Sequence, residues 1–289
     1  MGHAQALNLH VPGRTDACAR LATLLDPQRS HVDAPEVGVI VAHPDDETIG
    51  CGAQLARWIG ATIVLVTDGA PADGKDARAA GFASTADYAR ARRRELETAL
   101  EIAGVRGDAL IALDIPDQQV AWRLVETTHR LTEIVANRCL SVFFAHAYEG
   151  GHPDHDGTAF AVHAAAQLLQ RQGQAVLIAE MPYYRAADGG IALQTFSSGF
   201  DSQEYAVHLR PEQQALKQRM IAAHRTQSAI LAPFSFAQEQ FRIAPFYDFR
   251  SLPNEGRLYY EQQDWGLTGR EWMALARSAL AKLRLDGQP

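Results

Sequence analysis

The chain has 289 residues, 47% of them apolar, and a formal net charge of −7. That is enough apolar material for one large core or two modest ones, and the acidic balance argues against a nucleic-acid partner. No apolar run approaches the roughly 20 residues of a membrane helix, so no membrane span is expected.

Three cysteines, Cys18, Cys51 and Cys139, lack paired spacing and predict a reducing compartment without a disulfide framework. The first residues show no basic segment followed by an apolar stretch, so a signal peptide is not expected. The expectation is a cytoplasmic globular protein.

Short β-branched runs alternate with helical patterns through the first two thirds. "VGVIVA" (37–42), "ATIVLVTDG" from Ala61, "ALIALDIPD" from Ala109, "LSVFFAHA" from Leu140 and "AVLIAEM" from Ala175 read as strands. Helices are predicted over 50–59, 85–103, 120–138 and 157–171. Continuously apolar strands separated by helices imply a mostly parallel sheet covered on both faces, a Rossmann-like three-layer α/β/α fold. Ligands of such sheets bind at the carboxyl ends of the strands.

Beyond about 195 the rhythm changes. "QEYAVHLR" reads as a strand, 211–227 as a helix opened by proline, and 268–283 as a helix with Thr268 and Glu271 in a capping box. Between them lies an aromatic and proline-rich stretch within 233–260. With no repeat or flexible linker, 1–289 reads as one domain: a motif-bearing core over about 37–182 and an extension over about 183–289, of which 183–265 shapes the pocket wall.

"VIVAHPDDETIGCG" (39–52) crowds one histidine and three carboxylates into a strand exit. Neighbouring carboxylates repel, and a cation among them removes the difficulty. His43 and Asp46 supply the nitrogen and oxygen that zinc takes, and Asp45 stays free as a base. Alone, the acids fit equally well as capping residues of a helix start. A second cluster, "HAYEGGHPDHDGT" (146–158), follows the fourth strand and breaks that tie. Both exits open on one sheet edge, so His43, Asp46 and one of His152 or His155 supply three ligands with an open fourth position, the pattern of catalytic zinc.

On the helix from Thr85, Ala89, Leu96, Ala99 and Ala103 share a stripe with Arg92 in its middle. A buried guanidinium needs a partner: Glu95 in a purely structural role, or a substrate or active-site carboxylate in a functional one. Cys51 reads as a small core residue. Neither a phosphate-binding glycine loop nor a G-x-S-x-G motif occurs, which leaves a nucleotide-binding reading without support.

"AHPDDE" (42–47) together with "HPDH" (152–155) resembles the PIG-L/LmbE-like family of metal-dependent N-deacetylases, and "RRREL" (92–96) resembles its R-x-x-E helix. The paired motifs at this separation are highly specific. The resemblance implies one zinc ion per chain held by His43, Asp46 and His155, Asp45 as general base, and His152 as a stabiliser of the oxyanion. It places Arg92 at the substrate, or as an organiser of the pocket. It implies removal of an N-acetyl group from a small-molecule N-acetylated sugar or glycoconjugate. Rival readings are a zinc amidase for another acyl group and a silent metal-containing sugar-binding module, to which Asp45 would be superfluous. Tyr148 and His224 carry no assigned role.

Overall fold

Alternation along the central strands decides which side chains face which layer. The computed structural model describes residues 14–263 and 265–287; the N-terminal stretch read above for a leader lies mostly outside them. In chain order the elements are α1 (Arg14–Leu25), β1 (Val32–Asp33), β2 (Val37–Val41), α2 (Asp46–Leu55), β3 (Trp58–Ile59), β4 (Thr62–Pro71), α3 (Lys75–Ala79), α4 (Thr85–Ile102), β5 (Leu110–Asp117), α5 (Leu124–Arg138), β6 (Val142–His146) and α6 (Pro153–Arg171). They continue as β7 (Leu177–Met181), β8 (Tyr184–Ala187), β9 (Gly190–Leu193), β10 (Glu204–His208), α7 (Pro211–Ala223), α8 (Ser228–Leu231), β11 (Gln238–Ile243) and α9 (Gly269–Lys282).

On β2, Val37, Val39 and Val41 point into a core shared with Leu96 and Ala99 of α4. Ile40 points the other way, into a core with Leu131 and Val135 of α5 and Val162 of α6. Each such side chain, fully buried, contributes on the order of 1.5–3 kcal/mol. The sheet is thus covered on both faces, as an α/β three-layer architecture requires.

The seven strands run in the order β10-β11-β7-β6-β2-β4-β5. β7, β6, β2, β4 and β5 are mutually parallel, and β11 is antiparallel to both β7 and β10. From β2 the chain builds outward through β4 and β5, then crosses to β6 and β7 on the other side. The topological switch point lies between β2 and β6, where a crevice opens beyond the strand ends.

Several boundaries differ from expectation, each for a local reason. α2 begins at Asp46 rather than at residue 50, because the motif itself forms the first turn. It ends at Leu55 because Trp58 and Ile59 pair in parallel with Val32 and Asp33. α6 begins at Pro153 rather than 157, with proline in its first turn where a missing N–H is harmless. Over 120–138 the first four residues form a 3₁₀ turn before α5. The helix expected over 211–227 stops at Ala223, and 225–227 form a 3₁₀ turn.

The aromatic-rich stretch contains β11, whose sequence QEQFRI is too polar to stand out as a strand. Other boundaries follow the sequence closely: Ser84 caps α4 by accepting from the Asp87 N–H, and Thr268 and Glu271 form the capping box of α9. The extension contributes β10 and β11 to the main sheet, and α9 packs against α5. Among the described residues, no helix is long and apolar enough to cross a membrane.

Candidate metal centre

His43 leaves the carboxyl end of β2, and His152 and His155 lie at the start of α6, just after the loop from β6. The switch point brings these two exits together. His43 Nδ1 lies 3.2 Å from His155 Nε2 and 3.3 Å from an Asp46 oxygen, and His155 Nε2 lies 3.4 Å from the other Asp46 oxygen. All three residues are buried.

His43 Nε2 turns to the opposite side, 3.1 Å from Asp117 Oδ1 and 3.5 Å from Asp154 Oδ2. His43 thus belongs to two groups able to hold a metal: His43–Asp46–His155, and His43–Asp117–His152–Asp154.

Hydrogen bonding separates the two. His152 caps α6, its Nδ1 accepting the Asp154 N–H at 3.1 Å. In the neutral ring Nε2 then carries the proton and has no lone pair for a metal. Asp154 accepts from the Val120 and Gln118 N–H groups through both oxygens. Asp117 and Asp154 therefore suit the role of carboxylates that orient His43 through its second nitrogen. His43 Nδ1, His155 Nε2 and the Asp46 carboxylate converge as a two-nitrogen, one-oxygen set, which fits zinc.

Asp45 stands beside this set in a strained backbone conformation, φ 147°. Its carbonyl accepts from the Thr48 and Ile49 N–H groups at 3.0 Å each, and its N–H donates to Glu47. Such strain in a non-glycine residue persists only where its surroundings enforce it.

Arg92 donates to Asp45 Oδ2 at 2.9 Å, to the Pro44 carbonyl at 3.2 Å and to the Gly69 carbonyl at 2.6 Å. Gly69 sits at φ 67°, which favours glycine, and a Cβ there would meet the guanidinium at 2.5 Å and the Pro44 ring at 2.8 Å. Glu95, the structural alternative, instead accepts from the Thr226 N–H and hydroxyl. Arg92 and Glu95 are not paired. The guanidinium is committed to Asp45 and two backbone carbonyls.

Burial pushes the Asp45 carboxyl up to about 7, against the opposing pull of Arg92. Burial also acts to raise Asp46, but the imidazoles of His155 and His146 hold it well below the usual carboxylate range. Burial and the neighbouring His43 ring keep His152 well below its ordinary value, hence neutral.

The sequence reading did not single out Asp117 or His146. Asp117 ends β5, the one signal being a carboxylate at a strand exit on the ligand-binding edge. His146 ends β6, accepts the Ala42 N–H through Nε2 and stacks on the His155 ring at 4.1 Å.

Tyr148 faces away from the cluster: its hydroxyl accepts from the Trp272 indole and donates to the Ser251 carbonyl. His224 lies behind the loop, 3.3 Å from the Thr48 hydroxyl and 3.6 Å from Glu47. Cys51 is in the core. Gly151 lets the loop pass the Tyr184 carbonyl, which a Cβ would meet at 2.0 Å.

Half-buried aromatic rings flank the site. Trp265 sits 4.6 Å from the His152 ring, Tyr259 lies 6.0 Å from Trp265, and Tyr184 lies 5.8 Å from Tyr259 and 5.5 Å from His155.

Comparisons with known proteins bear on the family and the fold. The sequence profile of the PIG-L family, described as GlcNAc-PI de-N-acetylase, matches residues 38–166. A comparison with curated proteins gives no match. Among solved structures, a deacetylase triple mutant of the teicoplanin biosynthetic pathway superposes with a TM-score of 0.57 at 20% identity, covering 74% of this chain and 99% of that one.

The antimicrobial reagent A40926 pseudoaglycone deacetylase gives 0.56 at 19% identity, covering 75% and 100%. The N,N'-diacetylchitobiose deacetylase of Pyrococcus horikoshii gives 0.53 at 22%, covering 81% and 94%. At these identities the likeness speaks for the fold. The resemblance carried by the two motifs is thereby shown: residues 38–166 match the PIG-L family, within the α/β fold of these solved structures.

Proposed function

We propose that the chain is a zinc-dependent N-deacetylase that hydrolyses the acetamide of an N-acetylated amino sugar or its conjugate. The products are acetate and a free amine. The observation that carries this reading is the convergence of His43 Nδ1, Asp46 and His155 Nε2 beside a buried carboxylate, Asp45, that the ligand set does not need. One zinc ion per chain, held by these three ligands, would lower the pKa of bound water and polarise the amide carbonyl.

The remaining chemistry belongs to the chain. Asp45 accepts a proton from the attacking water, and Arg92, through its bond to Oδ2, keeps the carboxylate oriented for that transfer. This contact, rather than direct substrate binding, is the main role proposed for Arg92. The Nε2–H of His152 donates to the oxygen that gains charge as the amide carbon becomes tetrahedral, an interaction that is often a large catalytic term. The proton taken by Asp45 then passes to the departing nitrogen, and the C–N bond breaks to release the amine.

Support for a sugar comes from Tyr184, Tyr259 and Trp265, whose rings offer the apolar faces on which a pyranose lies. The structural neighbours named for N,N'-diacetylchitobiose and for the A40926 pseudoaglycone are consistent with this class. We place the reaction in a cytoplasmic setting and treat core and extension as one functional unit. The test is acetate release by zinc-loaded protein from a panel of N-acetylated sugars, with longer acyl amides alongside. Turnover of a longer acyl amide in preference to every acetamide would favour the amidase reading. No turnover of any amide would contradict the proposal.

A further inference from the structure

α2 carries Asp46 in its first turn, with Asp45 just before it, yet the helix is not regular. At Cys51 the backbone leaves helical geometry (φ −146°, ψ 23°). In an unbroken α-helix the Ile49 carbonyl accepts from the Ala53 N–H, four residues on. Both groups have partners outside the helix: Lys217 Nζ donates to the Ile49 carbonyl at 2.7 Å, and the Ala53 N–H donates to Glu239 Oε1 at 2.9 Å.

Lys217 and Glu239 are paired with each other at 2.8 Å, both side chains fully buried. Glu239 Oε2 also accepts from the Gln54 side chain at 2.9 Å. Lys217 comes from α7 and Glu239 from β11, so both belong to the extension. The end of α7 supplies His224, which touches Thr48 and Glu47 near the start of α2.

A buried ion pair is weak evidence for stability alone, since apolar residues of similar volume often serve as well. Here the pair does something apolar residues cannot: each partner satisfies one backbone group at the break in α2. We propose that Lys217 and Glu239 are positioning residues that splint α2, fixing the direction of its first turn and so the aim of Asp46 and Asp45. The inference rests on the zinc reading given above. It assigns to the extension, which carries no recognised motif, a part in building the metal centre.

The experiment uses the full chain and two charge-balanced double variants. Lys217→Met/Glu239→Leu removes both contacts to the break, and Lys217→Met/Glu239→Gln keeps an acceptor for the Ala53 N–H. Zinc dissociation constants are measured by competition with a chromogenic chelator, beside thermal melts of the metal-free forms. The expected result is metal-free variants that still fold, melting below the wild type because buried backbone groups lose partners, and that bind zinc about tenfold to a hundredfold more weakly, the range of outer-shell substitutions. The loss should be smaller for the Gln variant.

Wild-type affinity in either folded variant would reduce the pair to core filling and overturn the proposal. If neither variant folds, the pair is scaffold and the positioning role is likewise rejected. A wild-type protein that binds no zinc would overturn it too, and that failure is recognised in the wild type, where it belongs to the parent reading.

Discussion

The first turn of α2 and its break at Cys51 bury charge in different ways. At the break, Lys217 and Glu239 are matched one to one, and each also meets a backbone group. At the first turn, Asp46, Asp117 and Asp154 gather around His43, His152 and His155 with nitrogen and oxygen atoms facing one another. The atoms that face one another there are His43 Nδ1, His155 Nε2 and the two Asp46 oxygens, 3.2–3.4 Å apart. Buried polar groups are normally satisfied. A cluster that closes on itself reads as support, whereas one that leaves acceptors converging on a point reads as a place for a cation.

The largest effect that sharpens this contrast should come from Asp45→Asn. The amide keeps the shape of the carboxylate but cannot accept the proton of water. Turnover should fall by about 10²–10⁴-fold, the usual range for a general base, while bound zinc is retained. Near-normal turnover would remove Asp45 as the base.

Next comes Arg92→Lys. Lysine cannot reproduce the planar fork that reaches Asp45, Pro44 and Gly69 together. Losing hydrogen bonds to a charged group costs about 1.5–3 kcal/mol, or roughly ten- to a hundredfold in kcat/KM. A lowered melting temperature with unchanged kcat/KM would make Arg92 purely structural.

Trp265→Ala should act on substrate binding. Aromatic contacts are worth about 0.5–1.5 kcal/mol beyond burial, which corresponds to roughly two- to tenfold in KM. An unchanged KM alongside a reduced kcat would move Trp265 from the sugar platform to the support of His152.

The smallest expected effect concerns Glu149, in the turn before His152. Burial pushes its carboxyl from the ordinary 4.5 up to about 8. The folded state then holds a proton that the unfolded state releases, so this group stabilises at low pH and loses that contribution as pH rises from 4.5 to about 8. Glu149→Gln keeps an acceptor for the Tyr183 and Tyr184 N–H groups. Its melting temperature relative to wild type should therefore rise between pH 5 and pH 8, about the two ends of the shift. A difference independent of pH would show that Glu149 is ionised in the folded protein.

Much of the fold was legible, because alternating apolar strands and helical stripes are set by local pattern. Five parallel strands, the inward-facing Arg92 and the caps of α4 and α9 follow from residues near in sequence. What was not legible depends on long-range pairing. β11 has four polar residues in six and is a strand because it pairs with β7 and β10. Asp117 carries no motif and meets His43 only through the sheet order, 74 residues away. Arg92 could be placed on a face by its helical phase, but its partner lies 47 residues back in another loop. Both motif helices start earlier than the pattern predicts for a shared reason: Asp46 and Glu47 of HPDDE, and Pro153 to His155 of HPDH, already lie in the first turns.

The central claim is that His43, Asp46 and His155 hold a metal that Asp45 serves without binding it. Elemental analysis of zinc-loaded, desalted protein tests it directly, comparing wild type with His155→Ala and Asp45→Asn. The account predicts one zinc per chain in the wild type and in Asp45→Asn, with strong depletion in His155→Ala. Full zinc occupancy in His155→Ala, or loss of zinc from Asp45→Asn, would contradict it.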